Sequence, residues 1–159
     1  MKAIIVYYSL EGNTKLIAEK LADLIGADLL ELVPKKAYPT GNVSKFFFGG
    51  KSAVMSESPE LEPYNTDISE YDTVIFGTPV WASRCAPPIR SFLENNSISG
   101  KRAAAFACAS GKSAGRAFNQ IEELSQCKLA ATELFIDPKR GRDSSIEEKL
   151  AELKKKLVM

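Results

Sequence analysis

Three short stretches hold most of the groups in this chain that are able to grip a ligand: Ser9-Leu10-Glu11-Gly12-Asn13-Thr14, Thr78-Pro79-Val80-Trp81-Ala82-Ser83 and Cys108-Ala109-Ser110-Gly111-Lys112. The first sets two hydroxyls, an amide and a glycine between an apolar run at 2–8 and a helical pattern at 14–26. A strand-to-helix turn of this kind exposes unpaired backbone N–H groups at the positive end of a helix, which suits an anion. The stretch has no lysine or arginine before Lys15, so it fits a phosphate monoester held by neutral donors. The same residues also fit a plain N-capped turn, with Thr14 or Asn13 as the cap. The second stretch carries Trp81, the one tryptophan, in a loop stiffened by Pro79, Pro87 and Pro88. A planar ligand can stack on that indole; an indole that plugs the core or marks a protein interface is the competing reading.

Other chemistries are excluded by what is missing. There is no histidine, which removes Ser-His and Cys-His triads, imidazole metal sites and the usual general base. Cys85, Cys108 and Cys127 are far apart and form no C-x-x-C, so buried spectator thiols are expected rather than a disulfide framework or a zinc site. Two copies of Gly-Lys-Ser, at 50–52 and 111–113, imitate a phosphate-binding P-loop. That motif needs a further glycine where Lys45 and Phe106 stand. No G-x-G-x-x-G is present, which argues against a dinucleotide-binding domain. The lysine-rich C-terminal stretch reads as a solvated helix face. The hard chemistry is therefore expected to come from a cofactor, with no catalytic or metal-binding side chain assigned.

The elements that must position these stretches alternate along the chain. Short β-branched or apolar runs at 2–8, 28–33, 71–79, 101–110 and 128–137 predict five strands. Helical spacing predicts helices at 14–26, 87–95, 114–125 and 143–157. In the first, Leu16, Ile17, Leu21, Leu24 and Ile25 share a face and Gly26 is the stop; the last opens acidic and closes with lysines, as the helix dipole favours. Such alternation implies an α/β/α sandwich about a parallel sheet, with ligands at the carboxyl ends of the strands. Residues 34–66 break the rhythm with prolines and a glycine pair and are expected to form an ordered functional flap. The 159 residues, 45% apolar and 26% charged, predict one globular domain over 1–159. The N-terminal apolar run is too short for a signal segment or a membrane span, so a cytoplasmic protein is expected. A net charge of +1 argues against a dedicated nucleic-acid binder.

Ser9–Thr14 after the first strand, together with Gly77-Thr78-Pro79-Val80-Trp81 after the third, resembles the flavodoxin family of FMN-binding proteins. The likeness runs along essentially the whole chain. It implies a flavodoxin-like fold with a five-stranded parallel sheet in the order 2-1-3-4-5 and a long insertion after strand two. It implies FMN as cofactor, with residues 9–14 around the phosphate. Residues 78–83 and 108–112 would then flank the isoalloxazine, with Trp81 beside the ring. The family often places a glycine at the peptide next to flavin N5; Trp81-Ala82-Ser83 has none, so a peptide flip there carries a steric cost. The third stretch also lacks the aromatic that often covers the second ring face. That face is expected either to be open to a substrate or to be covered by Phe46, Phe47 or Phe48 of the flap. The function implied is electron transfer between redox partners. The alternative is an FMN-dependent NAD(P)H oxidoreductase acting on quinones or other small acceptors, which the open ring face, long flap and near-neutral charge favour.

Overall fold

A computed structural model describes residues 1–40 and 50–159 of the chain. Its sheet grows from β-branched and aromatic runs that are apolar on both sides. β1 (Ala3–Tyr7) lies centrally between β2 (Asp28–Glu31) and β3 (Thr73–Trp81), and β5 (Arg102–Ala109) and β6 (Leu129–Ile136) follow on the far side of β3. All of these pairings are parallel. With the short antiparallel β4 (Arg84–Cys85) set aside, the strand order is the expected 2-1-3-4-5.

Alternation along β1 shows why both faces need cover. Ile4 and Val6 join one core cluster with Phe76, Ile89 and Phe92, while Ile5 joins the other with Ile17, Leu21, Phe106 and Phe135. Each fully buried phenylalanine or isoleucine contributes roughly 1.5–3 kcal/mol by leaving water. The first cluster is closed by α2 (Pro87–Asn95) and α3 (Gly115–Ser125), the second by α1 (Asn13–Ile25) and α4 (Ile146–Val158). α2 opens on two prolines, whose missing N–H groups cost nothing at a helix start. α4 carries Glu147 and Glu148 in its first turn and Lys155 and Lys156 in its last, the polarity the helix dipole favours. In α1 the buried stripe is Thr14, Ile17, Ala18, Leu21 and Ala22. Leu24, expected on that face, is instead exposed: the stripe drifts off the sheet before the helix stops at Gly26, which takes the left-handed conformation. None of the described helices is long and apolar enough to cross a membrane.

The third strand runs further than its sequence signal. It continues through Val80 to Trp81, turns on Ala82 and Ser83, and returns as β4, with Trp81 paired to Arg84 and Val80 to Cys85. Trp81 therefore ends a strand rather than sitting in a free loop. Both turn residues have positive φ, 50° for Ala82 and 65° for Ser83, so this tight hairpin is made without the glycine or asparagine that normally signals one. The hairpin is pinned at its base by the buried Thr78, whose hydroxyl donates to Pro79 O (2.8 Å) and accepts from Ala86 N–H (2.9 Å). Cys85 N–H also donates to Gln120 Oε1 of α3 (3.0 Å).

One glycine is a matter of space. A Cβ on Gly77 would lie 2.5 Å from Phe106 Cζ and 2.9 Å from Tyr7 Cβ, because Gly77 sits in register between those two residues. Gly77→Ala is expected to cost about 2 kcal/mol through overpacking. Thermal unfolding should show a fall of about 4–8 °C for a chain of this size; an unchanged midpoint would mean that the Phe106 ring yields freely.

The flap is anchored at its base. Lys35 N–H donates to Glu60 O (2.9 Å) and Glu62 N–H to Val33 O (2.7 Å), around an antiparallel bridge between Pro34 and Leu61. Residues 50–54 are helical, and Tyr38 Oη is bonded to Ser52 Oγ at 2.9 Å. Phe46, Phe47 and Phe48 lie outside the described residues.

Candidate functional site

The three stretches converge on one cavity of about 470 Å³ at the carboxyl ends of β1, β3 and β5. That size falls within the about 300–1,000 Å³ of small-molecule and cofactor sites. Ser9, Leu10, Glu11, Asn13 and Thr14 form one wall; Pro79, Val80, Trp81 and Ala82 form another; Cys108, Ala109 and Ser110 form a third. Gly12, Thr78, Ser83, Gly111 and Lys112 stand back from the lining. Gly50, Asp137 and Arg140 are lining residues that sequence patterns did not single out.

The first wall is built around an uncapped helix start. The residue before α1 is Gly12, at φ +94°, and it offers no side-chain cap. Neither Thr14 nor Asn13 caps the helix, because both lie inside it. Ser9 works from outside instead: its Oγ accepts from the N–H groups of Gly12 (3.1 Å) and Lys15 (3.2 Å), curling the loop back on itself. The first backbone bond of the helix runs from Leu16 N–H to Gly12 O (3.0 Å). The N–H groups of Asn13 and Thr14 thus precede the helical ladder, at the wall of the cavity. With both acceptor sites of Ser9 Oγ in use, its hydroxyl hydrogen is left to donate outward.

Thr14 is buried, and its hydroxyl works against the rise that burial causes in the Cys108 thiol. Burial pushes Cys108 up to about 12, and it does the same to Cys85. Both thiols are therefore neutral near pH 7 and weak as nucleophiles.

Trp81 is held edge-on by two tyrosines. Its ring centre lies 5.6 Å from that of Tyr8 at 86° and 5.0 Å from that of Tyr38 at 75°. Such T-shaped contacts add about 0.5–1.5 kcal/mol each and fix the plane of the indole. The residue packs on the core cluster and also lines the cavity. Tyr38 comes from the flap, whose Gly50 lines the same cavity.

The turn after β6 completes the site. Asp137 is buried with φ +39°; its carboxylate accepts from Ser110 Oγ (2.9 Å) and from Arg142 (3.0 Å). Lys139 crosses the first loop, its N–H donating to Asn13 Oδ1 (3.0 Å) and its Nζ to Glu11 O (2.9 Å). A wall of amides and hydroxyls at one end and a fixed indole at the other fits a phosphorylated planar ligand.

Comparison with known proteins points the same way. The family model described as Flavodoxin matches residues 2–150. A flavoprotein of Bacteroides eggerthii DSM 20697 is 25% identical over 96% of this chain and 97% of that one, with a TM-score of 0.73. A flavoprotein of Bacteroides uniformis ATCC 8492 is 24% identical over 96% and 97%, with a TM-score of 0.79. A flavoprotein of Lactobacillus acidophilus NCFM, in complex with FMN, is 23% identical over 93% and 97%, with a TM-score of 0.74.

Proposed function

Since the chain belongs to the flavodoxin family, we propose that its cavity holds FMN and that the protein passes electrons between redox partners. The observation that carries the reading is the joint placement of two pre-ladder amides, at Asn13 and Thr14, and an immobilised indole in a single cavity. Bound there, FMN supplies one- and two-electron chemistry that no side chain of this protein offers.

The chain's own groups bind, orient and insulate. Asn13 and Thr14 N–H groups, with the Ser9 and Thr14 hydroxyls, hold the phosphate through neutral donors at a helix start. Trp81, Val80 and Ala82 offer one wall to the ring system. Ala109 and Ser110 offer the other, with Cys108 as an uncharged floor. Main-chain groups of 81–83 would be the ones to meet a ring nitrogen. The tight turn there already holds Ala82 and Ser83 in the left-handed region, at roughly 1–3 kcal/mol per residue.

One observation favours the second reading, an FMN-dependent NAD(P)H oxidoreductase. Among the described residues, Trp81 is the one aromatic side chain lining the cavity, and the opposite wall that they form is small, with room for a quinone or similar acceptor. Charge separates the two roles less: with +1 overall, the surface steers weakly towards either sign of partner.

The test is direct. Purified protein titrated with FMN should quench flavin fluorescence with one-to-one stoichiometry; no quenching sinks the cofactor assignment. The holoprotein mixed with NADH or NADPH and a quinone should turn over slowly if it is a carrier. Rapid turnover establishes the oxidoreductase reading instead.

A further inference from the structure

The turn after β6 carries three cations in four residues, and they are not equivalent. Lys139 is engaged with Glu11 O and Arg142 with the Asp137 carboxylate. The Arg140 guanidinium has no hydrogen-bond or ion-pair partner among the described residues, yet Arg140 lines the cavity. Its position is set by its neighbours. Lys139 N–H bonds Asn13 Oδ1 (3.0 Å), which ties the turn to the start of α1, and Arg140 N–H bonds Asp137 O (2.9 Å), which closes the turn. Arg140 therefore lines the cavity one residue from the contact that ties its turn to the start of α1, where the amides of Asn13 and Thr14 precede the helical ladder.

We infer that Arg140 is a specificity residue for the phosphate of the flavin, making the site select FMN over unphosphorylated riboflavin. The inference rests on the FMN reading above and deepens it. Two acidic side chains line the cavity, Glu11 and Asp137; the Asp137 carboxylate is paired with Arg142 (3.0 Å) and accepts from the Ser110 hydroxyl (2.9 Å), so it does not draw on the Arg140 guanidinium. A guanidinium offers planar, always-charged donors that match phosphate oxygens. Reading the first loop alone suggested that neutral donors suffice. The fold adds a cation from a turn that meets the loop through Lys139 and Asn13, residues 126 apart in the chain.

The test compares two ligands that differ only in the phosphate. FMN and riboflavin are titrated by fluorescence quenching into the wild-type chain and into Arg140→Gln and Arg140→Lys. Arg140→Gln should weaken FMN about tenfold to a hundredfold, the loss of a charge-assisted contact, and change riboflavin less than twofold. Arg140→Lys should recover part of the FMN loss. The FMN affinity of the wild type should also fall with salt more steeply than that of Arg140→Gln. Unchanged FMN affinity in Arg140→Gln overturns the inference, as does an equal loss for both ligands. If the wild type binds neither flavin, the FMN reading itself fails. Arg140 is exposed, so the variants should melt with the wild type.

Discussion

A Ser9→Ala/Thr14→Val protein should bind FMN roughly thirtyfold to twenty-thousandfold more weakly than the wild type. Each substitution removes one hydroxyl donor from the wall that faces the phosphate, and an oxygen left unpaired costs about 1–3 kcal/mol, so the two together cost about 2–6 kcal/mol. The valine keeps the volume of a residue that is 1% exposed, which protects the α1 face from a cavity. Ser9→Ala acts twice: it also releases the N–H groups of Gly12 and Lys15 that Ser9 Oγ holds, so the loop loses its curl. Fluorescence titration measures the effect, and a thermal melt shows that the fold survives. If the affinity stays within twofold, the loop is nothing more than the start of a helix.

Asp143→Asn should destabilise the protein by about 3 kcal/mol at pH 7, the usual scale for removing one partner of a buried charged pair. Burial alone would raise this carboxyl. The Lys149 ammonium at 2.7 Å, the N–H groups of Ile136 and Ser145 and the Ser145 hydroxyl outweigh it and hold the group well below the usual carboxylate range. A depressed folded value means that the stabilisation is present above the unfolded value of about 3.9 and is lost as pH falls through the folded one. Urea unfolding at pH 7, 5 and 3 should therefore show a gap between wild type and variant that is full at the first two and shrinks at the third. A gap that does not change with pH would assign the loss to packing instead. Asp143 also secures the turn that presents Lys139 and Arg140, since it ties β6 at Ile136 to α4 at Lys149.

The parts of the fold that could be read from the chain are those where one local rule governs each residue. Ala3–Tyr7 and Arg102–Ala109 are apolar on both faces because both faces are covered, and Pro87 and Gly26 mark their helix ends by backbone chemistry alone. The three stretches could be brought to one cavity from the chain alone because each lies at the carboxyl end of a strand or just past it, where crossover loops gather. What stayed hidden depends on distance along the chain. Arg140 reaches the cavity because Asn13 and Lys139 meet, and no local pattern encodes that meeting. Tyr38 and Trp81 touch across the flap, so the indole read as loop-borne is in truth clamped. The hairpin at 80–85 gave no sign of itself because Ala82 and Ser83 adopt a backbone that their side chains disfavour; the flanking contacts of Thr78 and Gln120 impose it. Leu24 shows the converse, an apolar residue in helical register that the fold leaves exposed.

The cavity walls come from the ends of β1, β3, β5 and β6, and from the flap besides. No contiguous fragment of the chain can hold the ligand, so an unfolded or half-made molecule has no affinity for it. Whatever binds there weights the native population by mass action, by about 2.7 kcal/mol at a hundred times the dissociation constant. The supply of flavin would then help decide how long each newly made copy survives proteases, so that nutrition and turnover become linked through the geometry of four strand ends.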